Sequence, residues 1–382
     1  MAQRKEMAQA RSYIKSGKDF DKAEKLLREL LAKDSLSRMN PKVYLLLYQA
    51  VLEQYEVGNE RLYLKQQYDT ASLFNLAKSM FAIYESLDSV DMLPDKKGRV
   101  KLEYRKRHAA ELDTYRPNLF YGGTYNVRKG DFKTAFSFFD TYLDCGNQPL
   151  FSKFDYWAND GKMADAAYWA TYCGFRLKDP KLTLKYSDVA LRDTSAQKHR
   201  TTLVYVSAAY SWLKDAKSYM EVLRRGFALY ADSPYFFSHL IDCYTDAGRL
   251  DSALVVADRA IAADPDNTLF LFAKSSVLLN MGRYDECVAV SDSIICLNDT
   301  LAEPYYNAGI AYVNKANVLG KGSGGRGNRK VMRELYSKAL PYMENYRRLA
   351  PGKKQKWGPA LYKIYFYLNK GKQFEEVDSL LN

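Results

Sequence analysis

The chain reads PYFFSHLIDCYTDAGRLDSALVVADRAIAADPDN over residues 234–267 and TLFLFAKSSVLLNMGRYDECVAVSDSIICLNDTL over residues 268–301, two segments of equal length that align without a gap. Large apolar residues, a glycine and a small residue recur at the same places: Phe237, Tyr244, Gly248 and Ala253 in the first segment, and Leu271, Leu278, Gly282 and Cys287 in the second. This period predicts helical hairpins that stack in series, because each hairpin buries its apolar stripe only against its neighbours.

Each recurring residue has a role in a helix–turn–helix unit. Phe237 and Tyr244 lie two turns apart and therefore share one face of the first helix. Gly248 suits the turn, because glycine adopts left-handed dihedral angles without steric cost. Ala253 lets the second helix approach the first closely. Pro265 ends the second helix, because proline lacks an amide donor and clashes with the preceding turn.

The same pattern extends along the chain and predicts about nine helix pairs, of which the segments 234–267 and 268–301 are pairs six and seven. Pair two has a long connector around Gly58 to Tyr68, pair four is degenerate near residues 168–192, and Lys214 replaces the turn glycine of pair five. The predicted organisation is N-terminal helix pairs over residues 1–92, a basic connector over 93–115 that is either extended or helical, and a main solenoid over 116–382 with a Gly/Lys-rich insert at 320–330.

The spacing over most of residues 8–382 resembles the tetratricopeptide repeat, whose pattern is W-x2-L-G-x2-Y followed by A, F, A and P. The resemblance implies an all-α protein, a right-handed superhelical α-solenoid of about nine hairpins. It also implies a protein- or peptide-binding scaffold, whose concave face is lined by the first helix of each pair. The pentatricopeptide array, an RNA-reading repeat of similar length, fits less well, because this chain lacks a uniform step and a regular base-reading code.

The family's groove positions map onto aromatic, amide and charged residues of this chain. They are Phe120, Tyr121 and Arg128 in pair three, His239, Asp242 and Asp246 in pair six, Phe272, Ser276 and Asn280 in pair seven, and Tyr306, Asn307, Ile310 and Asn314 in pair eight. Amides would bond the backbone of an extended or helical peptide, while the rings supply apolar contact area. Some family members clamp a terminal carboxylate with Lys, Asn, Asn, Lys and Arg. Only Asn307 matches that set, so we predict no carboxylate clamp.

Charge is unevenly distributed over a chain whose formal net charge is +12. Residues 96–108 hold seven Lys and Arg against one acid, whereas residues 232–299 hold eleven acids against four bases. The acidic block covers pairs six and seven, where it predicts a partner segment with Lys or Arg and disfavours nucleic acid. The alternative function is RNA or anionic-polymer binding through the basic connectors, although single-strand channels also interleave stacking aromatic residues with their cations.

The sequence offers no pattern for catalysis, a cofactor or a metal ion, and we predict that the protein is not an enzyme. The three histidines, His108, His199 and His239, lie in separate repeats, and neither a C-x-x-C nor an H-E-x-x-H spacing is present. Residues 320–325 match G-x-G-x-x-G, but no strand precedes them. They are therefore predicted to form a flexible insert rather than a nucleotide site.

Two further expectations concern location and thiols. The sequence has no apolar run long enough to span a membrane. The chain also looks like exported tetratricopeptide proteins of Gram-negative bacteria, which implies a periplasmic or otherwise exported protein whose leader is absent; a cytoplasmic location is the alternative. The five cysteines cannot all pair within one chain, and Cys173 and Cys287 occupy small-residue positions, so buried free thiols are predicted.

Overall fold

The computed structural model describes residues 2–95, 97–320 and 325–381, and every regular element in these residues is a helix. The all-α prediction is therefore confirmed. The chain divides into two compact units, Met1–Tyr219 and Met220–Asn382. Within each unit, helices that follow one another in the chain pack as hairpins, which is the arrangement of a solenoid. The predicted division at residues 92 and 115 stays a prediction.

The first unit is built from helix pairs separated by short additional helices. Its elements are α1 (Ala2–Ser16), α2 (Phe20–Lys33), α3 (Ser35–Arg38), α4 (Pro41–Tyr63), α5 (Thr70–Asp91), α6 (Arg105–Tyr115), α7 (Pro117–Lys129), α8 (Phe132–Asp144), a 3-10 turn (Pro149–Phe151), α9 (Tyr156–Asn159), α10 (Met163–Arg176), α11 (Pro180–Lys185), α12 (Ser187–Ala190) and α13 (Ala196–Trp212). Helix α14 (Ala216–Leu229) begins in this unit and ends in the next.

The second unit keeps the repeat in strict register. Its remaining helices are α15 (Pro234–Asp246), α16 (Leu250–Ala263), α17 (Thr268–Asn280), α18 (Tyr284–Leu297), α19 (Ala302–Gly320), α20 (Gly325–Leu349), α21 (Lys354–Leu368) and α22 (Gly371–Leu381). Three successive first helices begin at residues 234, 268 and 302, so the period of the sequence is preserved in the structure. Helices α19 and α20 are 19 and 25 residues long, so the insert lengthens both helices of its hairpin. Most of the glycine pattern at 320–325 lies outside the described residues.

The turns between paired helices adopt the left-handed backbone conformation. Gly130, Gly248 and Gly282 have φ angles of 78°, 67° and 74°, as the sequence predicts. Pair five has Lys214 at this place with a φ of 57°, and the turn is closed by a hydrogen bond from the Lys214 amide to the Ser211 carbonyl. A residue with a Cβ atom costs roughly 1 kcal/mol in this conformation, because that atom crowds the following carbonyl oxygen.

Replacement of this lysine by glycine is therefore expected to stabilise the protein. Lys214→Gly should raise the free energy of unfolding by about 0.5–1 kcal/mol, which urea denaturation followed by circular dichroism measures. The matched control is Lys25→Gly at an exposed position inside α2, which should lower the free energy of unfolding by roughly 1 kcal/mol. A loss of stability in both variants would show that the left-handed turn imposes no cost on Lys214.

The connector of pair two differs from its prediction, and the structure shows how the degenerate pair four departs from the repeat. Helix α4 continues to Tyr63, so the connector of pair two begins at Leu64 rather than near Gly58. Gly58 is buried inside that helix, and a Cβ atom there would lie 2.5 Å from the Tyr68 ring. In pair four the second helix is divided into α11 and α12 at Tyr186, whose hydroxyl donates to Asp140 Oδ1 at 2.7 Å. These packing constraints come from residues outside the repeat pattern.

Part of the basic connector folds onto the first unit as helix α6. Its His108 ring stacks on Tyr84 at 3.8 Å between centroids, and Tyr84 stacks in turn on Tyr48 at 3.6 Å. Arg105 donates to both oxygens of the buried Asp88 at 2.8 Å, which anchors the beginning of α6 to α5. The helical form of the connector is therefore stabilised by stacking and by one ion pair, neither of which the repeat pattern predicts.

Candidate functional site

The first helices of pairs six, seven and eight lie side by side in the second unit. Helix α17 contacts α15 on one side and α19 on the other. We call the surface formed by residues 235–246, 268–280 and 303–314 of these helices the first-helix face. It contains the predicted groove residues of the second unit, whereas Phe120, Tyr121 and Arg128 belong to the first unit.

Helix α15 gives this face an acidic edge. Asp242 and Asp246 are both exposed and lie one turn apart. Neither carboxylate forms an ion pair within the residues that the structure describes. His239, one turn earlier, is half-buried, and its ring packs against Tyr235 with the centroids 4.4 Å apart. The edge therefore has two free negative charges beside an aromatic pair.

Other acids of the same block are already neutralised. The Lys274 ammonium lies 2.7 Å from Asp258 Oδ1, and the Lys315 ammonium lies 2.6 Å from Asp285 Oδ1. Arg283 and Glu286 also form an ion pair, at 2.6 Å. The net negative charge of residues 232–299 is therefore only partly available to a partner, and Asp242 and Asp246 contribute to the available part.

Helices α17 and α19 contribute aromatic and amide side chains to the first-helix face. Phe272, Ser276, Tyr306 and Asn314 are half-buried, and Asn280 is exposed. This mixture offers apolar area and hydrogen-bonding groups to an extended chain laid across the helices. Ile310 is half-buried too, so six predicted groove residues of α17 and α19 lie at accessible or partly accessible positions of the first-helix face.

Asn307 has a role inside the unit. Its side chain is buried, and Nδ2 donates to Ser275 Oγ at 2.8 Å and to Ser276 Oγ at 3.0 Å. These bonds join α19 to α17, and a buried amide that is satisfied in this way fixes the register of the two helices. The amide nitrogen that the carboxylate-clamp pattern would use is thus engaged within the protein.

The three predicted groove residues of the first unit differ in accessibility. Phe120 is buried against Phe139 and Tyr142, with both ring pairs 5.8 Å apart. Tyr121 is exposed over 51% of its surface, and the Lys162 ammonium lies 5.4 Å from its ring. Arg128 is exposed. Phe120 is therefore part of the core, whereas Tyr121 and Arg128 are accessible to a partner.

The structure also reveals an aromatic surface in the degenerate region of pair four. Phe175 of α10 stacks on Tyr205 of α13 at 4.4 Å and on Trp212 at 5.6 Å, while Tyr172 lies 5.9 Å from Tyr205. Trp212 is 38% exposed and the other three rings are half-buried. The sequence signal was the helical spacing of Tyr168, Tyr172 and Phe175, which the weak repeat match obscured.

The cysteines, the acidic side chains and the apolar helices bear on metal binding and on membrane insertion. Within residues 2–95, 97–320 and 325–381, no group of three or more His, Cys, Asp or Glu side chains is placed to hold a metal ion. Among the described helices, none combines the length and the apolar character needed to cross a membrane. The five cysteines are free; Cys173 and Cys287 are buried as predicted, whereas Cys296 is exposed.

Comparison with known proteins gives matches only among solved structures. No protein-family model and no curated protein sequence matches the chain. The C-terminal part of a TPR repeat-containing protein from Cytophaga hutchinsonii is 10% identical, with 68% of this chain and 92% of that chain covered and a TM-score of 0.45. A TPR repeats protein from Bacteroides fragilis is 17% identical, with 69% and 98% covered and a TM-score of 0.32.

A third similar structure is described as the complex of the TPR2AB domain of yeast Sti1 with pHSP90. It is 14% identical, with 79% of this chain and 98% of that chain covered and a TM-score of 0.28. Identities and TM-scores this low say nothing about what this chain binds. The regular period of the second unit, the left-handed turn glycines and the stacked helix pairs show the fold of helical hairpins in series that the resemblance to the tetratricopeptide repeat predicts.

Proposed function

We propose that the protein is a non-catalytic scaffold that binds a protein partner through the first-helix face, as the concave groove of its repeats. The partner would place an extended or helical segment with Lys or Arg residues on this face. The observation that carries the proposal is the pair of exposed and unpaired carboxylates, Asp242 and Asp246, beside rings and amides on the neighbouring helices.

Different residues of the first-helix face would contribute differently to partner binding. Ion pairs with exposed carboxylates contribute about 0.2–1 kcal/mol each, so Asp242 and Asp246 would set charge preference and association rate more than affinity. Partly buried rings such as Phe272 and Tyr306 would supply most of the contact energy, because aromatic residues dominate the well-packed centres of interfaces. Asn280 and Asn314 would bond the backbone of the partner.

Charge reversal on this face tests the proposal. Partners captured by the full chain from native cell extract are identified, and their binding segments are located with overlapping synthetic peptides. Asp242→Lys combined with Asp246→Lys is expected to weaken binding of the located segment at least about tenfold, because two attractions become repulsions. Isothermal titration calorimetry at moderate salt measures the dissociation constants.

A second pair of reversals provides the control. Asp251→Lys with Asp266→Lys changes the net charge equally, but Asp251 lies on α16 and Asp266 lies in the loop before α17. These variants should retain the affinity of the parent protein to within about twofold. If both double variants weaken binding equally, or if neither does, the first-helix face is not the recognition surface.

The alternative function in RNA or anionic-polymer binding has less support. Arg99 is paired with Asp95 at 2.9 Å, and Arg105 with Asp88 at 2.8 Å, so two cations of the basic connector are neutralised within the chain. Binding of this kind would weaken steeply between low and moderate salt, which a titration with single-stranded RNA would show. Location in the periplasm or another exported compartment is part of the proposal, and fractionation of native cells tests it.

A further inference from the structure

A pocket of 370 Å³ opens in the first unit beside helix α6. Three of its lining residues that are not exposed, Ala109, Leu150 and Phe154, are apolar, and we call them the floor; the exposed Leu102 also lines the pocket. Ala109 and Leu150 are buried, and the Phe154 ring is fixed by stacking on Tyr156 at 5.3 Å. The volume lies at the lower end of the range of roughly 300–1,000 Å³ that is usual for small-molecule sites.

The mouth of this pocket is positively charged. Lys106 and Lys153 line it, are exposed, and form no ion pair in the described part of the chain. Arg105 also lines the pocket, but its charge is offset by the buried Asp88. No acidic side chain is among the described lining residues. Two uncompensated cations therefore stand beside an apolar floor.

We propose that this pocket binds a single-chain amphiphilic anion, which is a ligand with an apolar chain and a carboxylate or phosphate head. The chain would cover Ala109, Leu150 and Phe154, and the head would lie between the ammonium groups of Lys106 and Lys153. Burial of the chain supplies affinity and the two lysines select the negative head, because an apolar lining with a few charged groups is what fixes the orientation of such a ligand. The stacking of the helical repeats does not require this pocket.

Matched amphiphiles test the ligand class. Isothermal titration calorimetry with monomeric sodium decanoate should show one site per chain. Decyltrimethylammonium, which has the same chain and the opposite charge, should bind at least about tenfold more weakly. Octanoate should also bind more weakly, since each buried methylene contributes up to about fourfold in affinity.

Variants test the location. Lys106→Gln with Lys153→Gln should weaken decanoate binding at least about tenfold, whereas Lys133→Gln with Lys181→Gln, at exposed lysines outside the pocket, should not. Ala110→Trp, at an exposed lining residue, should abolish binding by filling the pocket. Unchanged circular dichroism establishes that each variant is folded.

Three outcomes would overturn the proposal. Equal affinity for decanoate and decyltrimethylammonium would remove the role of the lysines. Full binding by Ala110→Trp would place the ligand elsewhere. Binding to phosphatidylglycerol vesicles without binding of monomeric decanoate would assign these residues to a membrane surface instead of a pocket.

Discussion

Gly174→Ala is expected to destabilise the protein by about 2–4 kcal/mol, the largest effect that we predict for a change of one methyl group. Gly174 lies in α10, where that helix packs against the middle of α11. An added Cβ atom would overlap the backbone nitrogen of Thr183 and lie 2.6 Å from the carbonyl carbon of Leu182. The obstacle is backbone, so relief requires α11 to move. Urea denaturation of the purified variant measures the change in free energy of unfolding.

Alanine substitutions at two other glycines provide comparisons for Gly174→Ala. Gly161→Ala places its Cβ atom in open space and should change the free energy of unfolding by less than about 0.5 kcal/mol. Gly123→Ala meets the buried side-chain ring of Phe139 at 2.5 Å, and a side chain can shift more readily than backbone, so its cost should be intermediate. If Gly174→Ala proves as mild as Gly161→Ala, then α10 and α11 do not pack as closely as the structure indicates.

The regular part of the fold could be predicted because few residues determine it. In pairs six and seven the turn glycines, Gly248 and Gly282, are needed for a left-handed conformation that other residues adopt only at a cost. Cys287 is fully buried where a small residue is needed between two helices. Such requirements are local and recur once in every repeat, so they are visible in the sequence.

The irregular part depends on contacts between residues far apart in sequence. The second helix of pair four is interrupted at Tyr186, whose hydroxyl bonds to Asp140, 46 residues earlier, a contact that no local pattern predicts. Asn307 lies at a position where the family's clamp has a ligand-binding asparagine, yet its amide donates hydrogen bonds to the hydroxyls of Ser275 and Ser276. The sequence therefore predicted which helix faces meet, but it could not assign each polar side chain to the interior or to a partner.

Two titratable groups of the first unit should make opposite contributions to the pH dependence of stability between pH 4.5 and pH 6.5. Burial lowers the pKa of His108 to about 4, with a smaller contribution from Arg107, while Asp88 acts in the opposite direction. Burial raises the pKa of Glu85 to about 7, and the nearby Asp144 adds to the shift. His108 is 4% exposed and Glu85 is half-buried, so solvent screens neither group fully.

The signs of the two contributions follow from proton binding in the folded and unfolded states. Unfolded His108 takes up a proton near pH 6.5 but folded His108 does not, so its contribution to stability is lost as the pH falls from 6.5 to 4. Folded Glu85 keeps its proton up to about pH 7 while the unfolded group loses it near pH 4.5, so its contribution is lost as the pH rises. Each pKa shift corresponds to about 3 kcal/mol in the free energy of unfolding. The two contributions depend on pH in opposite directions and nearly cancel each other in the parent protein.

Substitution of either group alone should therefore reveal the pH dependence of stability that the other group contributes. In the Glu85→Gln variant the free energy of unfolding is expected to rise by about 2–3 kcal/mol as the pH is raised from 4.5 to 6.5, because only the contribution of His108 remains. His108→Phe keeps an aromatic ring stacked on Tyr84. Its free energy of unfolding should fall by a similar amount as the pH is raised over the same range. The double variant lacks both contributions, so its free energy of unfolding should vary with pH over this range as that of the parent protein does. Urea denaturation at several pH values measures these changes, which do not depend on any constant cost of the substitution. Parallel pH profiles for all four proteins would show that neither group has a shifted pKa in the folded state.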